Sequence, residues 1–433
     1  MNLKSGSLYW PTTLPNPPRY PKLDRDLTCD VLILGAGESG SNVAYHLAGK
    51  GLDVAVVERR EVGMGSSAAN TGMVQYANDK TLTSCIHSFG DAGLRFYELC
   101  LHAVQHLLQL VQELRIDPQV YARPSLYYAT EAKDLPGLMA EYQALAAHGF
   151  PASYWDAEAI RRHFPFTKSG GIWSVGDAEA NPYRLSHALI DHAQSRGAQI
   201  YEETEIVGRK HLANEVHLWT KEGHRIVAKH VVYAAGYEAQ AFKREKNAVL
   251  LSTYAIVTNP VESLVGWPDR ALIWETARPY LYMRTSADGR IIMGGLDEPT
   301  TDATKRDSML PRKTEQLLLA VQKLFPQITE LRAEYAWSAS FGDMHDGLPM
   351  IGRYEEFPHT LFVLGYGGNG TVYSVILAQI IRDLIIKGSH PDQNLFLSDE
   401  RPYLHEWSRP LDPTLPGVPP TLPGLQTSSP EWS

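Results

Sequence analysis

Three glycines, Gly35, Gly37 and Gly40, carry the clearest chemical signal in this sequence, because they stand at G-x-G-x-x-G spacing between two apolar runs. The first permits a sharp turn from strand to helix, the second lets backbone approach a pyrophosphate, and the third lets the helix pack on a sheet. N–H groups at the start of that helix hold phosphate charge. Glu58 ends the second apolar run, where a carboxylate accepts hydrogen bonds from ribose hydroxyls and repels a 2′-phosphate. The pattern predicts a dinucleotide site for FAD or NAD and disfavours NADP.

Two further segments are rich in small residues, which let backbone approach a ligand. The first, residues 59–73, reads RREVGMGSSAANTGM and has neither helical nor strand periodicity. Because it directly follows the predicted nucleotide-binding strand, it is expected to wrap a ligand rather than only connect two elements. The second is the apolar strand VVYAAG, which ends in Ala234, Ala235 and Gly236. Its small residues suit either a ligand or the close packing of a helix on a strand.

Composition limits the classes of partner. The chain has 433 residues, of which 44% are hydrophobic and 21% charged, so it can bury a sizeable core and has the length of two domains. Its net charge of −9 argues against a general surface for nucleic acid or anionic membrane. A small molecule is therefore the expected partner. The sequence has no long uncharged apolar run and no apolar N-terminal segment of signal-peptide length, so a cytoplasmic protein without a membrane span is expected.

The cysteines and histidines give no metal pattern. Cys29, Cys85 and Cys100 form no C-x-x-C pair, which suits a reducing compartment. His102 and His106 are one helical turn apart, a spacing that can place two imidazoles on a metal ion. The sequence shows no H-E-x-x-H pattern and no obvious third ligand, so a solvated helix face is the better interpretation and no metal is expected.

Periodicity predicts both helices and antiparallel strands. Apolar spacing indicates helices over 91–113, 135–148, 181–196 and 312–324. Short strands at close intervals, separated by turns such as ADG, indicate an antiparallel sheet over 250–295. Together with the strand–helix–strand unit around the three glycines, these elements indicate an α/β protein with a second domain.

Six separated motifs of the sequence resemble those of the D-amino-acid-oxidase superfamily of FAD-dependent oxidoreductases. They are the glycine unit with Glu58, then GMGSSAANTG, VVYAAG, DGRIIMGG, DGLPMIG and LFVLGYGGNGT, in this order between about residues 20 and 390. The superfamily includes glycine oxidases, sarcosine oxidases, D-amino-acid dehydrogenases and γ-glutamylputrescine oxidoreductase. The aromatic N-terminal segment, with Tyr9-Trp10 and Tyr20-Pro21, is most similar to the γ-glutamylputrescine type.

The resemblance implies a Rossmann-like FAD-binding domain of the glutathione-reductase type, interleaved with an α+β substrate domain built on the antiparallel sheet. Prolines in the first residues exclude a regular helix there, and the end of the chain is dominated by Pro, Ser, Thr and Gly. The expected division is an extended N-terminal arm at 1–27, FAD-binding segments at 28–90, 150–240 and 331–390, substrate or cap segments at 91–149 and 241–330, and an irregular proline-rich tail at 391–433.

The resemblance also implies a tightly bound FAD. The bond is expected to be noncovalent, because the cysteine that attaches FAD in some members has no counterpart near residues 341–344. The N-terminus of the last long helix would stabilise negative charge on the flavin N1–C2=O edge. The residues implied to contact FAD are Gly35, Gly37, Ser39 and Gly40 at the pyrophosphate, Glu58 and Arg59 at the adenosine ribose, Gly65, Ser66, Ser67, Asn70, Thr71 and Gly72 along the pyrophosphate, ribityl and ring, Ile206 at adenine, Ala235 and Gly236 over the nucleotide, and Gly368, Asn369, Gly370 and Thr371 at the flavin.

The substrate end departs from the pattern of this superfamily. Its α-amino-acid oxidases carry an arginine that clamps the substrate carboxylate, and Phe341 stands at about that position. Ile292 stands where sarcosine oxidases have the lysine that assists reaction with oxygen, and Ala69 replaces an arginine before the loop asparagine. The departures favour an amine or N-substituted amino compound as substrate and leave open whether oxygen is the electron acceptor.

The expected reaction is oxidation of a C–N bond by hydride transfer to flavin N5, giving an imine that hydrolyses. The expected catalytic or substrate-contacting residues are His345, Arg284, Tyr254, Tyr282 and Tyr366, with Trp274, Tyr280 and Trp337 as further pocket candidates. Ordinary packing is an equal interpretation for each of the aromatic residues. The alternatives are a D-amino-acid or glycine oxidase or dehydrogenase that uses Arg284, an NAD-dependent dehydrogenase, which the late glycine-rich turn disfavours, and a flavin-bearing subunit without turnover.

Overall fold

The computed structural model describes residues 3–401 of the chain. Within these residues the chain forms two sheets, eighteen strands and eight α-helices. The strands are β1 Lys4–Ser7, β2 Leu27–Leu34, β3 Val54–Val57, β4 Met73–Val74, β5 Tyr121–Tyr128, β6 Ala152–Asp156, β7 Gly170–Glu179, β8 Gln199–Tyr201, β9 Ile206–His211, β10 Val216–Thr220, β11 Arg225–Tyr233, β12 Ala248–Thr258, β13 Leu272–Glu275, β14 Leu281–Thr285, β15 Ile291–Glu298, β16 Ala333–Met344, β17 Met350–Gly352 and β18 Thr360–Leu364. The helices are α1 Glu38–Leu47, α2 Leu82–Phe89, α3 Asp91–Leu110, α4 Leu135–Ala147, α5 Ala157–His163, α6 Pro182–Ser195, α7 Ala303–Leu324 and α8 Gly370–Lys387.

The eight-stranded sheet is built on five parallel strands in the order β18-β11-β2-β3-β8. β2 and β3 pair with Val31 opposite Val54 and Leu34 opposite Val57, and α1 connects them. The paired residues are buried, because helices and loops cover both faces of a parallel sheet, and this is why the two strands are unbroken apolar runs. The predicted strand–helix–strand unit is confirmed.

The ten-stranded sheet has the order β1-β16-β12-β15-β14-β13-β5-β7-β4, with β6 paired to β7. All its pairs are antiparallel except β13 with β5. The antiparallel sheet predicted over 250–295 is therefore present as β12 to β15. It extends in both directions with strands that come from distant parts of the chain.

Helices pack on both sheets and enclose the core. α1 contacts α6 and α8 over β2 and β3, and α7 covers β12, β15 and β16. α8 is a core helix, because its residues from Thr371 to Ala378 are all buried. In the part of the chain that the structure describes, no helix has both the length and the apolar character needed to cross a bilayer.

The predicted helices over 91–113, 135–148 and 181–196 correspond to α3, α4 and α6 to within three residues at each end. The helix predicted over 312–324 begins earlier, at Ala303, because the carboxylate of Asp302 caps it by accepting the N–H of Lys305 at 2.7 Å. β7 was not predicted. Its sequence, GGIWSVGDAE, contains three glycines and no regular alternation, and pairing with β4, β5 and β6 makes it a strand.

The predicted domain boundaries do not coincide with the change from one sheet to the other. Segment 150–240 contributes β6 and β7 to the ten-stranded sheet and β8 to β11 to the parallel sheet. Segment 331–390 likewise contributes β16 to the first and β17 and β18 to the second. Each of these predicted FAD-binding segments thus contributes strands to both sheets, and the division of the chain into domains stays a prediction.

Both ends of the described chain are tied to the body. β1, in the predicted arm, pairs antiparallel with β16 and forms an edge strand. Residues 391–401, predicted as part of the irregular tail, instead pack on the parallel sheet: Leu397 is buried and bridges to Ile351, and Arg401 pairs with Asp346 at 3.2 Å. The rest of the predicted tail lies outside the described residues.

We expect Gly40→Ala to destabilise the fold and Gly137→Ala, its matched control, to be tolerated. Both glycines lie inside helices, α1 and α4. A Cβ at Gly40 would stand 1.8 Å from the carbonyl oxygen of Gly35, whereas a Cβ at Gly137 would meet nothing within 4 Å. Urea unfolding followed by circular dichroism should show a loss of about 2 kcal/mol or more for the first variant and a gain of up to about 1 kcal/mol for the second. Equal stabilities would contradict this close approach.

Candidate functional site

Residues from both sheets line one cleft with about 2040 Å³ of empty space, open to solvent at its edge. One end lies at the carboxyl ends of β2, β3 and β11 and at the N-termini of α1 and α8, and the other end lies against β12, β14, β15 and β16. Ligands of open α/β sheets bind at this edge of the parallel strands.

The glycine turn leaves backbone open to the cleft. Gly35 has a φ of +105°, and a Cβ there would stand 2.6 Å from the carbonyl oxygen of Ala234. A Cβ at Gly37 would stand 2.9 Å from Ser67 Oγ, which accepts the Glu38 N–H at 2.9 Å. Only glycine keeps this approach free. The first turn of α1 therefore meets the loop after β3 at the predicted phosphate position.

Glu58 lies at the carboxyl end of β3 and lines the cleft. Its carboxylate accepts the backbone N–H groups of Ala36 at 2.9 Å and Arg60 at 2.7 Å. Burial raises the pKa of Glu58, and these two hydrogen bonds act in the opposite direction. Beside it, Arg59 and Arg60 both pair with Glu238, at 2.5 and 2.8 Å. This end of the cleft is thus a fixed arrangement of charged groups around Glu58.

The loop between β3 and β4 is held from outside the cleft. Trp10 Nε1 donates to the carbonyl oxygen of Asn70 at 2.5 Å, and Trp337 Nε1 donates to that of Ala69 at 2.9 Å. Lys4 Nζ donates to two carbonyl oxygens of the same loop. Trp337 therefore supports the loop and does not line the cleft, which corrects its place among the pocket candidates.

Glu38, which the sequence analysis did not single out, joins three segments at the centre of the site. Its Oε2 accepts Asn70 Nδ2 at 2.8 Å and its Oε1 accepts Thr371 Oγ1 at 2.5 Å, while Asn70 Oδ1 accepts the N–H of Gly72 at 2.8 Å. Burial raises the pKa of Glu38 to about 7, against the effect of these two hydrogen bonds. The sequence signal that could have identified Glu38 is its position inside the glycine motif, where an acidic residue is unexpected because the turn is predicted to bind phosphate.

The N-terminus of α8 borders the cleft through Gly368, Asn369 and Gly370. The side chain of Asn369 is buried, and its Nδ2 donates to Asn78 Oδ1 at 3.0 Å. The N–H of Gly368 donates to Asp79 Oδ2 at 3.1 Å. The loop after β4 therefore holds the Asn369 side chain by a hydrogen bond, and the backbone at the start of α8 faces the cleft.

Three aromatic residues form a wall at the opposite end of the cleft. Trp274, Tyr280 and Tyr282 line it, with ring centroids 6.3 Å apart for the first pair and 5.4 Å for the second. Trp274 Nε1 is buried and has no hydrogen-bond partner among the described residues. Burial, with Asp79 nearby, holds the pKa of Tyr280 well above its usual range. Phe341 also lines the cleft, at the position where the family resemblance led us to expect a clamp arginine.

Three predicted substrate residues do not reach the cleft. Arg284 is buried, and its Nη1 donates to the carbonyl oxygens of Gly72 at 2.8 Å and Ala180 at 3.0 Å. Tyr254 is buried, and its hydroxyl donates to a backbone carbonyl of α7 at 3.2 Å. His345 is exposed in the turn after β16. Arg284 cannot replace the missing clamp, because the loop carbonyls already hold its guanidinium.

Most predicted cofactor residues lie together in the cleft. Those that line it are Gly35, Gly37, Ser39, Glu58, Arg59, Gly65, Ser66, Ser67, Asn70, Thr71, Ile206, Ala235, Gly236, Gly368, Asn369 and Gly370, together with Tyr282 and Tyr366 of the substrate set. Gly40, Gly72 and Thr371 lie behind the lining residues, where they allow close packing or form the hydrogen bonds described above. The hydroxyl of Tyr366 donates to the carbonyl oxygen of Gly236 at 3.0 Å, so it supports the nucleotide end. Contact of each residue with a cofactor stays a prediction.

The donors present fit a flavin dinucleotide. Backbone without side chains faces the cleft at Gly37, two helices begin at its edge, and the buried Nε1 of Trp274 offers a hydrogen bond. The described lining residues include none of the three cysteines, so no thiol is placed to attach a flavin. These features suit a long, anionic and noncovalently bound ligand.

We expect Glu38→Ala to weaken both the fold and its hold on the cofactor. The change leaves Asn70 Nδ2 and Thr371 Oγ1 without their buried acceptor, which should cost about 2–4 kcal/mol in the free energy of unfolding. Urea unfolding and equilibrium dialysis of the cofactor measure the two effects. Glu38→Gln, which keeps one acceptor oxygen and the side-chain volume, should lose less than half as much. Equal losses in both variants would contradict the role of these hydrogen bonds.

Comparison with known proteins gives distant relatives over most of the chain. γ-Glutamylputrescine oxidoreductase of Escherichia coli (strain K12) is 23% identical over 378 residues, which cover 84% of this chain and 85% of that protein. Glycine oxidase of Bacillus subtilis (strain 168) is 23% identical over 368 residues, which cover 82% of this chain and 93% of that protein. The crystal structure of glycine oxidase from Geobacillus kaustophilus superposes with a TM-score of 0.73 at 22% identity and covers 84% of this chain and 96% of that one. The fold is therefore shared.

A model of the FAD-dependent oxidoreductase family DAO matches residues 30–384. The match begins before the glycine turn and includes the loop after β3, the aromatic wall and most of α8. It covers well over half of the chain, and FAD is the cofactor of the family it describes. The chain belongs to the DAO family of FAD-dependent oxidoreductases and uses FAD.

Proposed function

We propose that this oxidoreductase oxidises a C–N bond in an amine or N-substituted amino compound and releases an imine that hydrolyses in water. The observation that carries the proposal is the composition of the cleft wall around Trp274, Tyr280 and Tyr282. The described residues that line the cleft include no lysine or histidine, and their arginines, Arg59 and Arg60, lie at the end near Glu58. A simple α-amino acid would bury its carboxylate at the aromatic end without a cationic partner, which is costly.

FAD, when bound, accepts the hydride that leaves the carbon beside nitrogen. The chain contributes position and a dry environment. The aromatic wall excludes water and presents ring faces to the substrate. Burial holds the pKa of Tyr280 and Tyr282 above the usual range of a phenol, so both hydroxyls keep their protons near neutral pH. They therefore orient the substrate through hydrogen bonds and do not act as bases.

The names of the relatives support the same substrate classes at a coarser level. One is named for γ-glutamylputrescine and others are named for glycine. Phe341 in the cleft wall favours the amine over the amino acid, because it offers nothing to a carboxylate. The rate at which the reduced flavin is reoxidised in air determines whether the electron acceptor is oxygen or another compound.

We expect anaerobic mixing with primary and N-alkyl amines to bleach the oxidised flavin absorbance of the purified protein. The panel includes glycine and D-alanine as matched carboxylate-bearing compounds, which should reduce the flavin at least tenfold more slowly at equal concentration. Faster reduction by the amino acids would reverse the proposed preference. Bleaching by no compound would favour a flavin-bearing subunit without turnover. Readmitting air then measures reoxidation and distinguishes oxidase from dehydrogenase.

We expect Glu58→Ala to lower FAD affinity at least tenfold, measured by reconstitution of the apoprotein. The change removes the carboxylate proposed to bind the ribose, together with the acceptor for the N–H groups of Ala36 and Arg60. Glu61→Ala is the matched control, because Glu61 forms an ion pair with Arg19 away from the cleft and should bind FAD normally. Unchanged FAD retention in Glu58→Ala would contradict the proposed role.

A further inference from the structure

A carboxylate with one unpartnered oxygen lies at the aromatic end of the cleft. Asp297 stands near the end of β15 and lines the cleft with Trp274, Tyr280 and Tyr282. Its Oδ1 is buried and accepts no hydrogen bond from any described residue. Buried carboxylate oxygens are normally paired, so an unpaired one on a residue that lines a ligand cleft leaves Asp297 able to accept a donor that comes with the ligand.

The cations near Asp297 are already engaged. Lys313 Nζ donates to the carbonyl oxygen of Leu296 at 3.0 Å and to Glu298 at 2.5 Å, and it does not line the cleft. Arg278 Nη1 donates to backbone carbonyls of residues 275–277. The second acid of this end, Asp79, accepts the Gly368 N–H. Asp297 is thus the acidic group at this end with an oxygen that can still accept a hydrogen bond.

The described residues form no ion pair with Asp297, and Lys313, which is paired with Glu298, favours the charged form of Asp297 only from a distance. Burial raises the pKa of Asp297 to about 6; a hydrogen bond with the Thr253 hydroxyl lowers this pKa, and the charge of Asp79 raises it further. The Asp297 carboxyl group is therefore mainly ionised at pH 7.5. An anionic substrate group would meet two carboxylates there. A cationic group would meet the Asp297 carboxylate beside three aromatic side chains, Trp274, Tyr280 and Tyr282.

We propose that Asp297 binds a second, protonated amino group of the substrate, separate from the nitrogen that is oxidised. The inference rests on the proposed amine oxidation. The reacting nitrogen must lose its proton before the adjacent carbon can release a hydride, and an ionised carboxylate in contact would hold that proton in place. A nitrogen that stays protonated throughout is the better partner for Asp297. The substrate class is therefore diamines and related aminoalkyl compounds.

The test compares 1,4-diaminobutane with butylamine, which has the same carbon chain and one amino group fewer. In the wild-type holoenzyme the diamine should half-saturate flavin reduction at a concentration at least thirtyfold lower than butylamine. In Asp297→Asn this preference should fall to threefold or less. Glu298→Gln, the neighbouring carboxylate outside the cleft, is the matched control and should keep the wild-type preference. A preference that survives in Asp297→Asn, or is absent from the wild type, would overturn the proposal.

The pH dependence of the wild-type preference gives a second measurement that needs no stable Asp297 variant. Both amines keep their charge between pH 5.5 and 7.5, so a preference that depends on ionised Asp297 should decline as the pH falls through about 6. The other charged or titratable groups that influence this carboxyl or are influenced by it are Asp79, Tyr254, Tyr280, Tyr282, Glu298, Lys313 and Asp343. Because burial raises the pKa of Asp343 to about 7, the profile is repeated in Asp343→Asn, where the decline near pH 6 should persist. Its loss there would assign the effect to Asp343 and overturn the proposal.

Binding to the oxidised holoenzyme distinguishes the two proposals. The flavin difference spectrum reports occupancy of the cleft by either amine without turnover. If neither amine reduces the flavin, the proposed oxidation of simple amines fails, while tighter binding of the diamine that depends on Asp297 would still support the recognition site. If both amines reduce the flavin and bind equally, the oxidation stands and the role of Asp297 is wrong.

Discussion

One buried carboxyl group connects the parts of the chain that must meet to form the site. Glu38 belongs to the first turn of α1, Asn70 to the loop after β3, and Thr371 to the first turn of α8, three hundred residues later. Its two oxygens accept one hydrogen bond from each of these side chains. Because the group is buried, loss of either bond would leave a polar atom unsatisfied, so the two helix N-termini and the loop keep one relative position. The cofactor end of the cleft depends on that arrangement.

The other end of the cleft is built by the ten-stranded sheet, and aromatic and acidic side chains line it in place of exposed backbone. Tyr282 on β14 lies opposite Gly294 on β15, where a Cβ would stand 2.4 Å from the phenol oxygen. The missing side chain makes room for the ring to lie across the neighbouring strand. Asp297 follows on the same strand β15, so one pair of strands supplies both an aromatic face and an acid. The parallel sheet thus forms the end of the cleft that we assign to the dinucleotide, and the antiparallel sheet forms the end at which we propose that the substrate binds.

The N-terminal segment has a larger role than an arm laid over the body. β1 adds a strand beside β16, and Trp10 donates to the backbone of Asn70 in the cofactor loop. Proline content predicts an extended segment but not its partner, because the partner comes from residues far away in the sequence. β7 is a similar case. Its glycines and irregular pattern carry no strand signal, and its conformation is decided by neighbours on both sides.

The sequence by itself determined the strand–helix–strand unit and the long helices, because short-range periodicity and glycine spacing specify local structure. Most of the candidate cofactor residues came from the resemblance of its motifs to those of the family. The sequence also indicated Tyr282 and Arg284 together as candidate substrate residues. Only the tertiary structure decided that Tyr282 lines the cleft while loop carbonyls at Gly72 and Ala180 cover Arg284. Glu38 and Asp297 were likewise hidden in the sequence. Burial and the supply of hydrogen-bond partners set the role of a carboxylate, and both depend on residues that are distant along the chain.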